Sequence, residues 1–293
     1  MSPEIDSRRG APRVALACVV TLTGVLAAHP APADPPAPWQ TLEPGLELGV
    51  FPAAGDPRAA GRGITVLRVN PARYELTLHT ATGIGRSSGL SARAWAEREG
   101  LVAAVNAGMY DVDGRRHVGF LKDGAHVNSP RANGYLSAAA FAPRTPGDPP
   151  FRIFDLDETS IESVAARYGR VVQNLRLIAR PGVNRWTPQD KGWYEAALAE
   201  DREGRALVIF CTRPLSMHDL NRRLLELPLG VVAANHLEGG AEAQLHVRVG
   251  EFRLDLVGGF EAGVGGYLPN PVAWPLPNVI GVRRRHPVPG QVP

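Results

Sequence analysis

The chain is 293 residues long, 44% apolar and 21% charged, with a formal net charge of +3, a balance that places its bulk among globular proteins rather than disordered ones. Several of the positive charges fall in the N-terminal leader and in Arg283-Arg284-Arg285 near the tail, so nothing in the charge pattern points to nucleic acid. Of the two cysteines, Cys18 lies in the leader; removing it leaves Cys211 alone, which excludes an intramolecular disulfide in the mature chain.

The leader has a basic head and a short apolar body. Arg8, Arg9 and Arg13 precede a run from Val14 to Ala28 that only small polar residues and Gly24 interrupt. That run is shorter than the ~20 residues needed to cross a hydrocarbon core, and Ala31-Pro32-Ala33 offers a small-x-small cleavage site. Residues 1–33 therefore read as a signal peptide, with an uncleaved anchor as the alternative. Cys18 precedes most of the apolar run, the wrong order for lipidation, and the residues after Arg8-Arg9 match twin-arginine export weakly. The expectation is Sec export to the periplasm or the extracellular space, with no stable membrane anchor after processing. Residues 34–60 form a Pro/Ala-rich tether and an entry strand, residues 61–285 a single domain, and residues 286–293 a tail.

Within the domain, Leu46 to Val50 and Ile64 to Val69 read as strands, and Tyr74 to His79 alternates in period two. Asn70 to Arg73 is the turn between the last two, so a hairpin is expected to open the domain. Ser91 caps a helix over Ala92 to Glu99 that Gly100 stops. The short apolar run Leu101 to Val105 is an interior strand delivering Asn106. Phe151 to Phe154 is a strand, Ile161 to Tyr168 a helix, Leu175 to Ile178 a strand, and Pro143 to Pro150 a surface loop. The apolar strand Leu207 to Cys211 buries its thiol as packing, and a helix capped by Ser216 and Asp219 carries Leu220, Leu224, Leu225 and Leu227 at helical spacing. Gly230 stops it, and the strand Val231 to Ala234 delivers Asn235. The order helix, Gly, small-residue strand, Asn thus occurs twice, as architecture rather than as tandem domains. Together these elements predict an α+β fold, a mixed β-sheet core flanked by helices.

Two glycine-bounded segments could carry chemistry. In Asn106-Ala107-Gly108-Met109-Tyr110, a glycine two residues past a strand-end asparagine lets the backbone fold back, so that the amide can face a cleft and meet a sugar hydroxyl. Capping of a turn by Asn106 is the alternative, and the residues taken alone favour it. In Leu237-Glu238-Gly239-Gly240-Ala241-Glu242, two carboxylates flank a Gly-Gly hinge and can project into one cavity, as acid/base or nucleophilic work requires; a solvated turn is the alternative. Glu261, in the glycine-rich run Gly258 to Gly263, is placed to line the same cleft. Asp111-Val112-Asp113-Gly114 lacks the later ligands of a calcium loop and reads as a hairpin turn. His117, His126 and His236 show no metal-ligand spacing, and neither metal nor cofactor is expected.

The run ending in Asn106-Ala107-Gly108-Met109-Tyr110, then Gly119-Phe120-Leu121-Lys122-Asp123-Gly124, resembles the N-terminal hallmark of the phosphodiester glycosidase family. Asn133-Gly134-Tyr135-Leu136 is similar to its next element. Ala233 to Gly240 resembles its closing segment, which usually reads Asn-Leu-Asp-Gly-Gly-Gly-Ser. The likeness runs from about Ile64 to Val282. Here Glu238 stands where the family has Asp, Ala241 and Glu242 where it has Gly-Ser, and Glu195-Ala196 where it has Arg-Thr.

The resemblance implies an exported hydrolase that cleaves the bond between sugar C1 and phosphate in envelope or extracellular glycans. The alternative is a catalytically altered glycan-binding envelope protein of the same fold. On this reading Glu238, Glu242 and Glu261 are the catalytic candidates, with Glu238 the base or nucleophile. Asn106, Asn128, Asn133 and Asn235, with Gly108, Tyr110, Gly239 and Gly240, meet the sugar, and Lys122 or Arg176 meets the phosphate. The expected partner is a carbohydrate or sugar-phosphate substrate.

Overall fold

Runs such as Ala138–Phe141 and Leu207–Cys211 are apolar at every position, the pattern of strands buried on both faces. The computed structural model describes residues 39–53, 63–262 and 266–285, without the side chains of 261–267 and 269. The expected leader, the tether residues 34–38 and 54–60, and the tail 286–293 lie outside the described residues.

Among the described residues there are twenty strands and three α-helices, arranged as three large sheets and one two-stranded ribbon. The eight-stranded sheet runs, edge to edge, 39–43, 46–52, 63–69, 206–215, 193–201, 231–239, 176–179, 183–184. One five-stranded sheet runs 126–129, 121–123, 168–174, 137–143, 151–155, and the other 252–257, 244–249, 103–106, 278–284, 74–80.

Each sheet turns one face to a shared core and the other under a helix. Ala103 and Val105 join the shared core, while Ala104 between them packs with Trp95 of α1 (Ala92–Glu99). Ala139 and Phe141 face inward; Ala138 and Ala140 pack against Ile161 and Val164 of α2 (Ile161–Arg167). Leu67 and Val69 face inward, and Ile64 and Val66 lie in the cluster of Leu220 and Leu224 from α3 (Met217–Glu226). The period-two alternation of strand side chains distributes them this way. Ser91, Ser160 and Ser216 each cap their helix by accepting the N–H three residues on, as expected of N-cap serines.

The fold is more β-rich than the expected α+β arrangement, and its strand pairs are antiparallel throughout the described residues rather than mixed. The strands not foreseen, such as His126–Ser129 and Ser137–Pro143, are rich in alanine or polar residues and so carry a weak strand signal. The expected opening hairpin is also corrected. Strand 63–69 pairs with 46–52 and 206–215, whereas 74–80 pairs with 278–284 in a different sheet. Asn70 makes the corner: its N–H donates to Gly45 O at 2.8 Å and its carbonyl accepts from Tyr74 N at 3.0 Å. Period two identifies a strand but not its partner.

Candidate active site

Three asparagines lie in the strands that follow the three helices: Asn106 and Asn174 end theirs, and Asn235 sits in the middle of Val231–Gly239. All three are buried, and their amides stitch neighbouring segments together. Asn106 Oδ1 accepts from Gln244 N at 2.9 Å. Asn174 Nδ2 donates to Ala107 O at 2.9 Å, crossing between the two five-stranded sheets. Asn235 Oδ1 accepts from Ser137 Oγ at 2.8 Å, crossing from the eight-stranded sheet. Asn174 is the member that the sequence pattern missed: Gly169 follows the helix, but Arg170 to Gln173 after it is not the run of small residues seen before Asn106 and Asn235. Around it, buried His117 places Nε2 3.2 Å from Asn174 Oδ1, and Asn128 Oδ1 accepts from His117 N at 2.9 Å. Burial, the largest influence on His117, pulls its ring toward the neutral form.

Above this stitched region opens a cleft of about 380 Å3 lined by Tyr110, Asp111, Glu238, Glu242, Trp274 and Pro277, with Val112, Gly114 and Pro275. The first motif thus supplies Tyr110 and the second supplies both carboxylates, so the two segments meet at one place. A neighbouring depression of similar size is lined by Arg93, His246 and Asp255 among others, but there Asp255 is already bonded by Arg93 and by His246. Among the described residues no group of three or more His, Cys, Asp or Glu is arranged to hold a metal ion.

The local backbone explains how the carboxylates arrive. Strand Val231–Gly239 carries an irregularity opposite Ala196–Ala197, where Ala196 pairs with Glu238 but Ala197 with His236. The extra residue is Leu237, whose side chain is buried in the shared core. Such a bulge re-aims the strand beyond it. The chain then turns through Gly240, at φ +66°, into the short 3-10 turn Gly240–Glu242, and Glu242 reaches the same cleft four residues after Glu238.

Behind Glu238 sits a pair that the sequence did not flag. His236 and Glu195 are both buried, and His236 Nδ1 is hydrogen-bonded to Glu195 Oε1. His236 Nε2 lies 3.7 Å from Glu238 Oε1, which also accepts from Gly239 N at 3.1 Å. Burial opposes charge on the His236 ring, yet Glu195 and then Glu238 outweigh it and push the ring up to about 10. Burial also raises the Glu195 carboxyl. The contact is read as imidazolium to carboxylate, because Glu238 on the far side of the ring adds to the pull of Glu195 on the His236 proton. Glu242 is raised by burial and then by the charge of Glu238. The Tyr110 hydroxyl is raised well above its usual value by burial, then by Glu238 and Glu242.

The remaining predicted residues fall elsewhere. Lys122 Nζ donates to Ala165 O at 3.3 Å, and Arg176 is bound by Asp157 at 2.8 Å; neither lines the cleft. Asn133 holds Gln173 through its backbone. Asn106, Asn128 and Asn235 are engaged in the stitching described above. Gly108 and Gly239 make close backbone approaches: a Cβ at Gly108 would lie 1.9 Å from Asn174 Oδ1, and one at Gly239 2.9 Å from Tyr194 O. The side chain of Glu261 lies outside the described residues. Of the cations, Arg131 is bonded to the lining residue Asp111 at 2.7 Å.

An antiparallel-sheet scaffold that presents two carboxylates and a tyrosine in one open cleft defines the structural class. Residues 99–283 match the family model described as phosphodiester glycosidase, and the chain belongs to that family. Its fold is similar to that of the catalytic domain of zebrafish N-acetylglucosamine-1-phosphodiester alpha-N-acetylglucosaminidase auto-inhibited by its pro-peptide, at TM-score 0.57 and 14% identity over 85% of this chain and 87% of that one. It is also similar to a hypothetical protein from Synechocystis, at TM-score 0.56 and 13% identity over 86% of this chain and 64% of that one. At such identities the likeness is one of fold. None of the curated proteins matches the sequence.

Proposed function

We propose that the protein hydrolyses the bond between sugar C1 and phosphate in glycosyl phosphodiesters of envelope or extracellular glycans, and that residues 1–33 direct its export. The observation that carries the reading is Glu238, delivered by a bulged strand into an open cleft and backed by His236. Family membership supplies the substrate class. No helix among the described residues is long and apolar enough to cross a membrane.

Breaking this C1–O bond releases a phosphate monoester, whose remaining ionisation lies near pKa ~6. It departs without a proton. The demands fall on the sugar side: a base or nucleophile at C1, and negative charge beside the oxocarbenium-like transition state. Glu238 takes that role. His236 and Gly239 N both engage Oε1, so Oε2 is the oxygen assigned to the substrate. Tyr110 and Trp274 meet the sugar ring, and Arg131, held at the rim by Asp111, meets the phosphate in place of Lys122 and Arg176. Asn106, Asn128, Asn133 and Asn235 act as positioning groups, by holding the strand ends that carry the cleft.

The purified full chain is incubated with a panel of sugar phosphodiesters and assayed for released sugar. Glu238→Gln is expected to lose on the order of 10² to 10⁴ in rate while melting at the wild-type temperature. Wild-type turnover by that variant would reject the assignment. Binding of the panel without turnover by the wild type would favour the glycan-binding alternative. N-terminal sequencing of the protein from culture medium or periplasm tests export, with a mature end near Asp34 expected.

A further inference from the structure

We infer that the same cleft also hydrolyses O-glycosides whose leaving group is an alcohol, with Glu242 as the proton donor that such a leaving group requires. The inference rests on the carboxylate reading of Glu238 proposed above and adds to it a second activity and a role for Glu242.

A phosphodiester leaving group makes no use of a second carboxyl group. Phosphate monoester departs as an anion, and a carboxylate beside it repels it. An alkoxide is far worse as a leaving group, since water itself sits at ~15.7, and glycosidases that expel alcohols place a protonated carboxylic acid beside the glycosidic oxygen. Glu242 has that position: it stands four residues from Glu238 across a glycine turn and lines the same cleft. The two carboxyls have different neighbours. Glu238 faces the imidazole of His236 at 3.7 Å, whereas burial and the Glu238 charge favour the protonated form of Glu242.

The lining agrees. No lysine or arginine is among the described residues that line the cleft; Trp274, Pro275 and Pro277 supply apolar surface instead. Such a wall suits the ring of a sugar and a neutral aglycone. In the reaction the C1–O bond breaks with its electron pair passing to oxygen, and that oxygen takes the proton of Glu242 and leaves as a neutral alcohol. Water supplies the oxygen that ends on C1 and gives one proton to Glu238. Proton return from Glu238 to Glu242 through solvent restores the site. The net change is glycoside plus water to free sugar plus alcohol.

The test compares leaving groups on one sugar. Methyl and nitrophenyl glycosides of a set of common envelope sugars, with the matching glycosyl phosphodiesters, are assayed with the full-length wild type and with Glu242→Gln. The wild type is expected to cleave a methyl glycoside. Glu242→Gln is expected to lose at least about 100-fold more on it than on the nitrophenyl glycoside or the phosphodiester, since those groups leave unprotonated. A thermal melt at the wild-type temperature reports that the variant is folded. Equal loss on all three substrates overturns the role of Glu242. Cleavage of phosphodiester but of no methyl glycoside overturns this inference and leaves the phosphodiester reading standing. Inactivity of the wild type on the whole panel overturns both.

Discussion

The side-chain oxygen of Asn106 accepts the backbone N–H of Gln244 at 2.9 Å across 138 residues of sequence. It ties the strand that leads to Tyr110 to the residue where the chain re-enters the sheet after Glu242. The bond is buried, so Asn106→Ala leaves the Gln244 amide without its partner, at a cost of about 1 to 3 kcal/mol. Urea denaturation measures it. A change too small to resolve would mean that the two segments are joined by packing alone.

Much of this arrangement was legible in the sequence. Helix ends are written locally: Ser91 and Gly100 bound α1 and Ser216 starts α3 as expected, whereas α3 ends at Glu226 with Leu227 as its cap, before Pro228 rather than at Gly230. The two glycine-bounded segments were identified, and they do share a cleft through Tyr110, Glu238 and Glu242. Strand partners were not legible, as the Asn70 corner illustrates, because alternation says nothing of which sheet a strand joins. The pairing of Glu195 with His236 went unseen for a related reason. They stand 41 residues apart in sequence and meet only because strands 193–201 and 231–239 are neighbours. Asn174 and Arg131 likewise matter only through long-range contacts, to Ala107 and to Asp111.

Gly108 is the position where the first segment tolerates no side chain. It has φ +130°, and a Cβ there would meet Asn174 Oδ1 at 1.9 Å. Gly108→Ala therefore combines backbone strain of about 1 to 3 kcal/mol with displacement of Asn174 from Ala107 and His117. Gly114→Ala is the control, with φ +59° and nothing within 4 Å of its Cβ. Thermal melts are expected to rank Gly108→Ala well below Gly114→Ala; the reverse order would show that the Asn174 contact does not matter.

The Glu195–His236 pair predicts a pH signature. The His236 ring, pushed up to about 10 in the folded chain, binds its proton more tightly than in the unfolded chain, where ~6.5 is usual. Its stabilising contribution is thus fully present below pH ~6.5 and fades as pH rises through about 10. Glu195→Ala removes the principal counter-charge and is expected to destabilise by about 3 to 5 kcal/mol at pH 6, with the difference from wild type shrinking toward pH 10. Nitrogen NMR of His236 reads the ring directly. Titration of the wild-type ring near pH 6.5 would refute the pairing.

Trp274 offers the cleanest separation of binding from chemistry. It lines the cleft with its side chain 44% exposed, while its backbone carbonyl accepts from Gln244 Nε2 at 2.7 Å. Trp274→Ala keeps that backbone bond and removes only the ring, so the fold is expected to melt as wild type. Contact of an aromatic face with a flat partner is worth about 0.5 to 1.5 kcal/mol beyond burial, so KM is expected to rise roughly two- to tenfold. Because the ring is remote from the carboxylates in role, holding ground state and transition state alike, kcat is expected to stay level. Steady-state kinetics on one cleaved substrate decides. A fall in kcat at constant KM would place Trp274 in the transition state instead, and would move the scissile bond from the carboxylate end of the cleft toward the wall formed by Trp274 and Pro275.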